Sequence, residues 1–243
     1  MSLLANLKSD ESIANERDSV GGSVLDSGLY KAKVVLAYLI KATSGAIGLA
    51  LTLKTDGGAE IRQTVYMTSG TAKGGKNYYE KDGQKNYLPG FLTANSLALL
   101  TVGKEISELD PEPKVVPVYS KEAKAEVPTK VAMLVELLGK EILVGLIRQT
   151  VDKTKKDDAG EYQPTGEVRD ENEIDKLFRA SDRMTTAEIR AKAEAAAFAA
   201  TWEAKFTGVV KNKVKGAAGG SGVAGAPKGA AVSAKPRASL FGS

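Results

Sequence analysis

Between Arg62 and Phe91, four of the chain's eight tyrosines alternate with lysines, and only Glu80 and Asp82 oppose this charge. An aromatic ring can stack on a nucleobase, and a lysine or arginine can neutralise a phosphate. This combination is therefore typical of a groove for single-stranded nucleic acid. The residues that we expect to contact the strand are Arg62, Tyr66, Lys73, Lys76, Tyr78, Tyr79, Lys81, Lys85 and Tyr87.

The same stretch has a purely structural interpretation. A β-hairpin can use tyrosines for packing across its strands and lysines to keep its surface soluble. In that case the stretch would be a protein contact or a solvated surface. The pattern alone leaves both interpretations open.

The chain contains no histidine and no cysteine. This excludes disulfides, thiol nucleophiles, Ser-His-Asp catalysis and metal sites with histidine or cysteine ligands. No Walker-type loop or paired-aspartate metal motif is found either. We therefore expect a protein that is not an enzyme and that uses no cofactor or metal.

The net charge of +4 is unevenly distributed over the 243 residues. Residues 207–243 contain six lysines and arginines and no acid, which favours a polyanionic partner. No secretory signal is recognised, and the nearly uncharged run 34–53 is interrupted by Lys41, Gly45 and Gly48. We expect a soluble, cytoplasmic protein without a membrane partner.

Apolar alternation predicts a meander of three strands near the start of the chain. Ser44-Gly45 and Asp56-Gly57-Gly58 provide the turns between these strands. Tyr30 and Tyr38 lie on the first strand and are expected in the core. The predicted strands are residues 29–40, 47–54 and 60–67.

A hairpin and a helix are predicted next. A flexible loop at 69–75 leads to a hairpin at 77–87, whose Asp82-Gly83 tip suits a type I′ turn. Residues 91–102 are predicted as a helix that ends at Gly103.

The second half of the chain is predicted from weaker signals. Residues 130–138 and 141–151 are expected to form two strands, although a helix over 131–149 competes because the run is rich in leucine. Between the helix and these strands, residues 104–129 are predicted as a connection broken by prolines, with one short strand at 115–119. After the strands, a charged, turn-rich segment at 152–170 precedes a short helix at 172–178. A capping box then begins a long helix from 186 to about 206.

This order of elements is that of the OB-fold, a five-stranded barrel with a helix between strands three and four. We therefore predict a mainly β protein with helical additions: an OB-fold barrel with an inserted hairpin, a C-terminal helix and a disordered tail. The predicted parts are a flexible N-terminal arm (1–27), the OB-fold domain (28–170), a helical C-terminal extension (171–214) and a disordered basic Gly/Ala-rich tail (215–243).

Two C-terminal features have more than one interpretation. Phe198, Trp202 and Phe206 are spaced to lie on one stripe of the long helix, which would dock on its own domain or on another subunit or partner. Leu240-Phe241 at the tail's end is either a solvated linker end or a short docking motif.

Four short segments and the helix that follows them form a recognisable layout: Gly28-Leu29-Tyr30, Ala46-Ile47-Gly48-Leu49, Lys76-Asn77-Tyr78-Tyr79 and Tyr87-Leu88-Pro89-Gly90-Phe91, continuing to Leu100. With this layout, the chain resembles over residues 28–151 the phage-encoded single-stranded-DNA-binding proteins with an elaborated OB-fold. The resemblance implies cooperative coating of single-stranded DNA in phage replication, recombination or transcription, within the host cytoplasm. The basic end of this chain departs from the acidic tail of many such proteins.

The expected ligand is thus single-stranded DNA, bound largely without sequence preference. Phage RNA polymerase, replication proteins and further copies of the chain on DNA are the expected protein partners. Some members of the similar family, from podophages with their own RNA polymerases, are single-stranded-DNA-binding cofactors of that polymerase. The alternative functions are therefore recruitment of a phage RNA polymerase to melted DNA, or a structural module for protein–protein contacts.

Overall fold

The computed structural model describes residues 24–120, 122–156, 162–215 and 223–224, and the protein is mainly β. The prediction of a mainly β protein with helical additions is confirmed. The strands are β1 (Gly28–Lys41), β2 (Ile47–Thr55), β3 (Glu60–Tyr66), β4 (Tyr78–Lys81), β5 (Gln84–Tyr87), β6 (Glu112–Ser120), β7 (Ala125–Met133), β8 (Glu141–Lys156), β9 (Tyr162–Arg179), β10 (Val210–Asn212) and β11 (Val223–Ala224). The helices are α1 (Pro89–Val102), α2 (Thr186–Arg190) and α3 (Phe198–Phe206).

β1 is the central strand of the large sheet. It pairs in antiparallel fashion with β2, and β2 pairs with β3, so the predicted meander is confirmed. On its other edge, Gly28–Lys33 pair with β8, and Tyr38 and Leu39 pair with the end of β7. β8 pairs with β9, which gives the strand order β9-β8-β1-β2-β3.

A β-bulge in β1 decides which side chains enter the core. The register with β2 shifts between Val34 and Leu36, so the alternation of inner and outer side chains changes phase there. Val34 and Ala37 are therefore both buried, whereas Tyr38 lies on the outer face of the sheet. The prediction that Tyr38 belongs to the core is wrong for this reason.

Helix α1 covers the inner face of the sheet. Leu88 precedes Pro89 at the first helical position, and Gly103 ends the helix with a left-handed conformation (φ 75°). Burial of aliphatic side chains from both layers stabilises this packing. Fully buried side chains of this core include Leu49, Leu53, Leu97, Leu137, Ile142, Val144 and Leu146.

The two end strands of the order β9-β8-β1-β2-β3 approach each other without forming a ladder. The Ile174 N–H donates to the Gln63 side-chain oxygen at 2.8 Å, but no backbone pairing between these strands is found in the described ranges. The opening between them has a volume of about 790 Å³, and Val24, Gln149 and Asn172 are among the residues that line it. We call this opening the β3/β9 seam.

The second half of the chain differs from its sequence prediction. Residues 104–129 are not mainly a connection, because β6 and β7 form a hairpin from Glu112 to Met133. The predicted strand at 130–138 belongs to β7 only as far as Met133, and a 3-10 turn at Val135–Leu137 follows it. The predicted helix at 172–178 and most of the turn-rich segment at 152–170 are instead part of the β8–β9 ribbon, and β9 crosses the predicted boundary at residue 170.

Two short helices replace the predicted long C-terminal helix. α2 ends at Arg190, Lys192 has a positive φ of 53°, and α3 begins at Phe198. α3 docks on its own sheet through Trp202, which is buried and lies over Gly145 of β8. The predicted N-terminal arm up to residue 23 and residues 216–222 and 225–243 of the predicted tail lie outside the described residues.

No helix in the described parts of the chain is both long and apolar enough to span a lipid bilayer.

The Glu188 carboxylate holds the two C-terminal helices together. It accepts hydrogen bonds from the Thr185 N–H and hydroxyl and from the Ala197 and Phe198 N–H groups, at 2.8–2.9 Å. Burial alone would raise the pKa of this carboxyl, but these donors outweigh it and lower the pKa to about 2. The carboxylate thus caps α2 and fixes the start of α3.

We predict that Glu188→Gln lowers the free energy of unfolding by about 1–3 kcal/mol near neutral pH, because an amide cannot accept all of these hydrogen bonds. A carboxyl whose pKa falls on folding stabilises the folded state above its unfolded pKa, here near 4.5. The difference between wild type and variant should therefore shrink as the pH falls from about 4.5 towards 2. Urea unfolding of wild type and variant at several pH values measures this difference in the free energy of unfolding.

The matched control is Glu194→Gln, which changes an exposed carboxylate in the segment between the two helices. It should leave the free energy of unfolding within about 0.5 kcal/mol of wild type. A Glu188→Gln effect that stayed constant down to pH 2 would contradict the role assigned to this carboxylate.

Candidate nucleic-acid interface

The predicted Tyr/Lys hairpin is formed by β4 and β5. Asp82 (φ 52°) and Gly83 (φ 75°) both adopt left-handed conformations at its tip, as a type I′ turn requires. Tyr78 pairs directly with Tyr87 across the two strands. Because side chains alternate between the faces of a hairpin, Tyr79 lies on the opposite face from these two rings.

The loop before the hairpin is tied to its surroundings by hydrogen bonds. Ser69 and Lys76 are joined twice, through the Ser69 N–H to the Lys76 carbonyl (2.8 Å) and the Lys76 N–H to the Ser69 hydroxyl (3.0 Å). The Thr71 N–H donates to the Ser44 carbonyl at 2.8 Å. This segment was predicted as a flexible loop, yet it contains a 3-10 turn at Thr71–Lys73 and holds the backbone of Lys73 and Lys76 in place.

The end of β3, this loop, the hairpin and the first turn of α1 enclose a groove of about 850 Å³. Leu88 and Pro89 form part of its apolar lining, and Glu80 is the only acid among its described lining residues. We call it the Tyr/Lys groove. It brings together five of the nine predicted contact residues, namely Tyr66, Lys73, Lys76, Tyr78 and Tyr79.

The four predicted tyrosines differ in how freely a base could stack on them. Tyr66 and Tyr79 are 48% and 45% exposed and are the most accessible rings in the groove. The Lys76 and Lys85 ammonium groups lie 5.4 and 5.1 Å from the centre of the Tyr78 ring, within the range of cation–π attraction. Tyr87 is exposed but packs against Phe91, with ring centroids 5.0 Å apart.

The remaining predicted residues lie outside the groove lining. Lys81 and Lys85 project from the outer part of the hairpin, where both are exposed. Arg62 is on β3 at some distance from the groove, and its guanidinium is paired with Glu60 at 2.8 Å.

Two tyrosines that the sequence analysis did not assign to the site lie in a separate groove. Tyr38 and Tyr119 line a cleft of about 470 Å³ between the outer face of the sheet and β6. Glu60 and Glu126 line the same cleft against a single cation, Arg62. Its negative balance suits a nucleic acid poorly, so we do not include it in the interface.

No match was found between this chain and the known protein-family models, and none of the curated proteins is significantly similar to it. Across the described residues, no three potential metal ligands among histidine, cysteine, aspartate and glutamate converge on one point.

Tyr66 is positioned by an unusually close contact between α1 and β3. A Cβ atom placed on Gly90 would lie 2.1 Å from the Tyr66 carbonyl oxygen and 2.8 Å from its carbonyl carbon. Only glycine allows the first turn of α1 to contact the backbone of β3 in this way. The sequence signal for this contact is the Pro89-Gly90 pair at the start of α1.

We predict that Gly90→Ala lowers the free energy of unfolding by about 2–3 kcal/mol, because β3 and α1 must move apart to admit the methyl group. The control is Gly57→Ala, since a Cβ atom there would have only the Thr55 hydroxyl within 4 Å, at 3.8 Å. Urea unfolding of both variants checks this. Equal stability of the Gly90→Ala variant and wild type would contradict the close packing.

Proposed function

We propose that the protein binds single-stranded DNA, without catalysis and with little sequence preference. The observation on which this proposal depends is the Tyr/Lys groove, where the exposed rings of Tyr66 and Tyr79 lie beside Lys73 and Lys76. Bases would stack on the two rings while the lysines neutralise neighbouring phosphates. Stacking tolerates every base because each has a π-face.

When a strand binds, the lysines near Tyr78 would exchange their contact with the ring for a contact with a phosphate. In the free protein, the Lys76 and Lys85 ammonium groups rest near the Tyr78 ring. Their flexible stems allow them to turn from the ring to a phosphate, which is the stronger partner for a cation because it is charged. Tyr78 would then become available to a third base.

The strand order supports the same function, because we infer from it an OB-fold that is opened on one side. In this proposal β1, β2, β3, β8 and β9 are the five barrel strands, and α1 is the helix between the third and the fourth. The β3/β9 seam is the position at which such a barrel would close. OB-folds bind oligonucleotides on the face of their second and third strands, and Tyr66 lies at the end of β3.

The physiological role that we propose follows from the similarity to phage single-stranded-DNA-binding proteins. It is the coating of single-stranded DNA during phage replication, recombination or transcription.

We predict that Tyr66→Ala and Tyr79→Ala each weaken binding to a single strand of about 30 nucleotides by roughly 1–3 kcal/mol, the usual value of one base–aromatic stack. Tyr119→Ala, which removes an exposed tyrosine outside the groove, should leave the affinity unchanged. Fluorescence anisotropy with a labelled oligonucleotide measures all three. Equal effects of the three substitutions would show that the groove has no special role.

We also predict strong salt dependence and a preference for single strands over duplex. If Lys73, Lys76, Lys81 and Lys85 each neutralise one phosphate, the logarithm of affinity should fall by about 3 per tenfold rise in salt. A matched duplex should bind more weakly because its bases are not available for stacking. Equal affinity for duplex and single strand would overturn the stacking mechanism, and absence of binding to both would identify the hairpin as a protein contact.

A further inference from the structure

A second cluster of aromatic rings and lysines lies around α3. Phe198 and Phe206 are at the two ends of this helix, and Phe198 is 42% exposed. The Lys176 ammonium lies 5.4 Å from the centre of the Phe198 ring, and those of Lys205 and Lys211 lie 5.2 and 4.7 Å from the centre of the Phe206 ring. We call these five residues the C-terminal patch. It repeats the arrangement around Tyr78, where lysines rest beside an aromatic ring.

Buried residues beneath the C-terminal patch fix the positions of its aromatic rings. Trp202 is buried between them, and its indole N–H donates to the Asp175 carboxylate at 2.7 Å. Phe178 stacks under Phe198 with centroids 6.3 Å apart, and Glu188 accepts the Phe198 N–H at 2.8 Å. Phe198 therefore presents its other side to solvent from a fixed backbone.

The charges of the patch favour an anionic ligand. Within the described part of the chain, no carboxylate lies within 4.0 Å of the Lys176 or Lys205 ammonium groups. Lys211 is 3.4 Å from Asp175, whose other oxygen is already bound by Trp202. From Lys211 to the end of the sequence, the chain contains five further lysines and arginines and no acid.

The C-terminal patch is connected to the Tyr/Lys groove across the first turn of α1. A depression of about 360 Å³ lies between them, and Pro89 and Leu92 are among its lining residues. Its charged lining has a positive balance, with the acids Glu173 and Asp175 against Lys176, Lys211 and Lys213. Pro89 also lines the Tyr/Lys groove, so the two cavities meet at this residue. Leu92 is 49% exposed and offers an apolar surface along the route.

We propose that the C-terminal patch is a second binding segment for the same single nucleic-acid strand. This inference rests on the proposed function of the Tyr/Lys groove. A strand leaving the groove passes Pro89 and Leu92 and reaches Lys176 and Lys211. Its phosphates then displace the lysine ammonium groups from Phe198 and Phe206, and a base stacks on Phe198.

The test compares strands of increasing length, from about 4 to about 30 nucleotides, by fluorescence anisotropy with the full chain. The variants are Phe198→Ala and the double variant Lys176→Ala/Lys205→Ala. The control is Lys54→Ala/Lys130→Ala, which removes two exposed lysines remote from both sites. Thermal unfolding of each variant confirms that it is folded.

The shortest strands, which fill only the Tyr/Lys groove, should bind wild type and variants equally. Longer strands should bind Phe198→Ala about fivefold or more weakly. For the Lys176→Ala/Lys205→Ala variant and long strands, the slope of log affinity against log salt concentration should be smaller in magnitude by about 1.4. The control variant should bind like wild type.

The outcomes separate this inference from the proposed function. If Tyr79→Ala weakens binding while the patch variants bind every length like wild type, the patch is not a binding segment and the groove proposal stands. If the patch variants weaken all lengths equally, the two sites do not form one path, and the inference is overturned. If wild-type protein binds no strand, both proposals fail.

Discussion

The fold depends on β1 pairing with three different strands. β1 pairs with β2 on one edge, and on the other its first half pairs with β8 and its far end with β7. The bulge near Val35 allows β1 to pair with β2, β8 and β7, because it adds twist to the strand and keeps both Val34 and Ala37 in the core. At the start of the strand, the buried Ser27 hydroxyl accepts the Arg148 N–H at 2.7 Å, and the Ser27 carbonyl accepts the Gly208 N–H at 2.9 Å. These bonds link β1, β8 and the segment leading to β10 at a single residue.

Both aromatic clusters place lysine ammonium groups beside aromatic rings, against Tyr78 in the Tyr/Lys groove and against Phe198 and Phe206 in the C-terminal patch. In each cluster, packing also fixes the backbone of an exposed ring. Tyr66 is fixed by the contact of Gly90 with its backbone, and Phe198 by Glu188 and Phe178. In the free protein the cation–π contacts partly satisfy the lysines without fixing them in ion pairs. A polyanion therefore has to break few salt bridges to reach these cations, whereas Arg62, already paired with Glu60, is the least available of the predicted contacts.

The sequence predicted those elements whose signals are local. The meander, the Asp82-Gly83 hairpin and α1 follow from apolar alternation, turn residues and helix-end signals within short windows. β6 and β7 were predicted only in part, as the strands 115–119 and 130–138, because Pro113, Pro117 and Pro128 break the pattern. Proline is tolerated in a hairpin that extends from the sheet edge. β9 was missed because much of it is exposed and charged, so it lacks the apolar alternation of a half-buried strand. The interruption between α2 and α3 depends on hydrogen bonds from the Ala197 and Phe198 N–H groups to Glu188. Helix propensities do not predict these bonds, because they join residues nine and ten positions apart.

For the site, residue types identified the members of the Tyr/Lys groove. The pairing of Arg62 with Glu60 and the exposure of Phe198 could be seen only in the tertiary structure.

The β3/β9 seam gives the molecule a direction in which it is mechanically soft. Every other neighbouring pair in the order β9-β8-β1-β2-β3 is joined by a ladder of backbone hydrogen bonds, so stretching across those pairs must break several bonds at once. Between β3 and β9 the one hydrogen bond among the described residues runs from the Ile174 N–H to Gln63 and contributes about 0.5–1.5 kcal/mol, beside the apolar side chains that both strands bury in the shared core. Thermal fluctuations at room temperature supply energy of this order. β3 is therefore attached to the sheet by one backbone ladder only, along β2 as far as the Gly48–Tyr66 pair, and α1 contacts the backbone of Tyr66 from the inner face. The elasticity of the sheet is thus concentrated at the strand that ends in the Tyr/Lys groove.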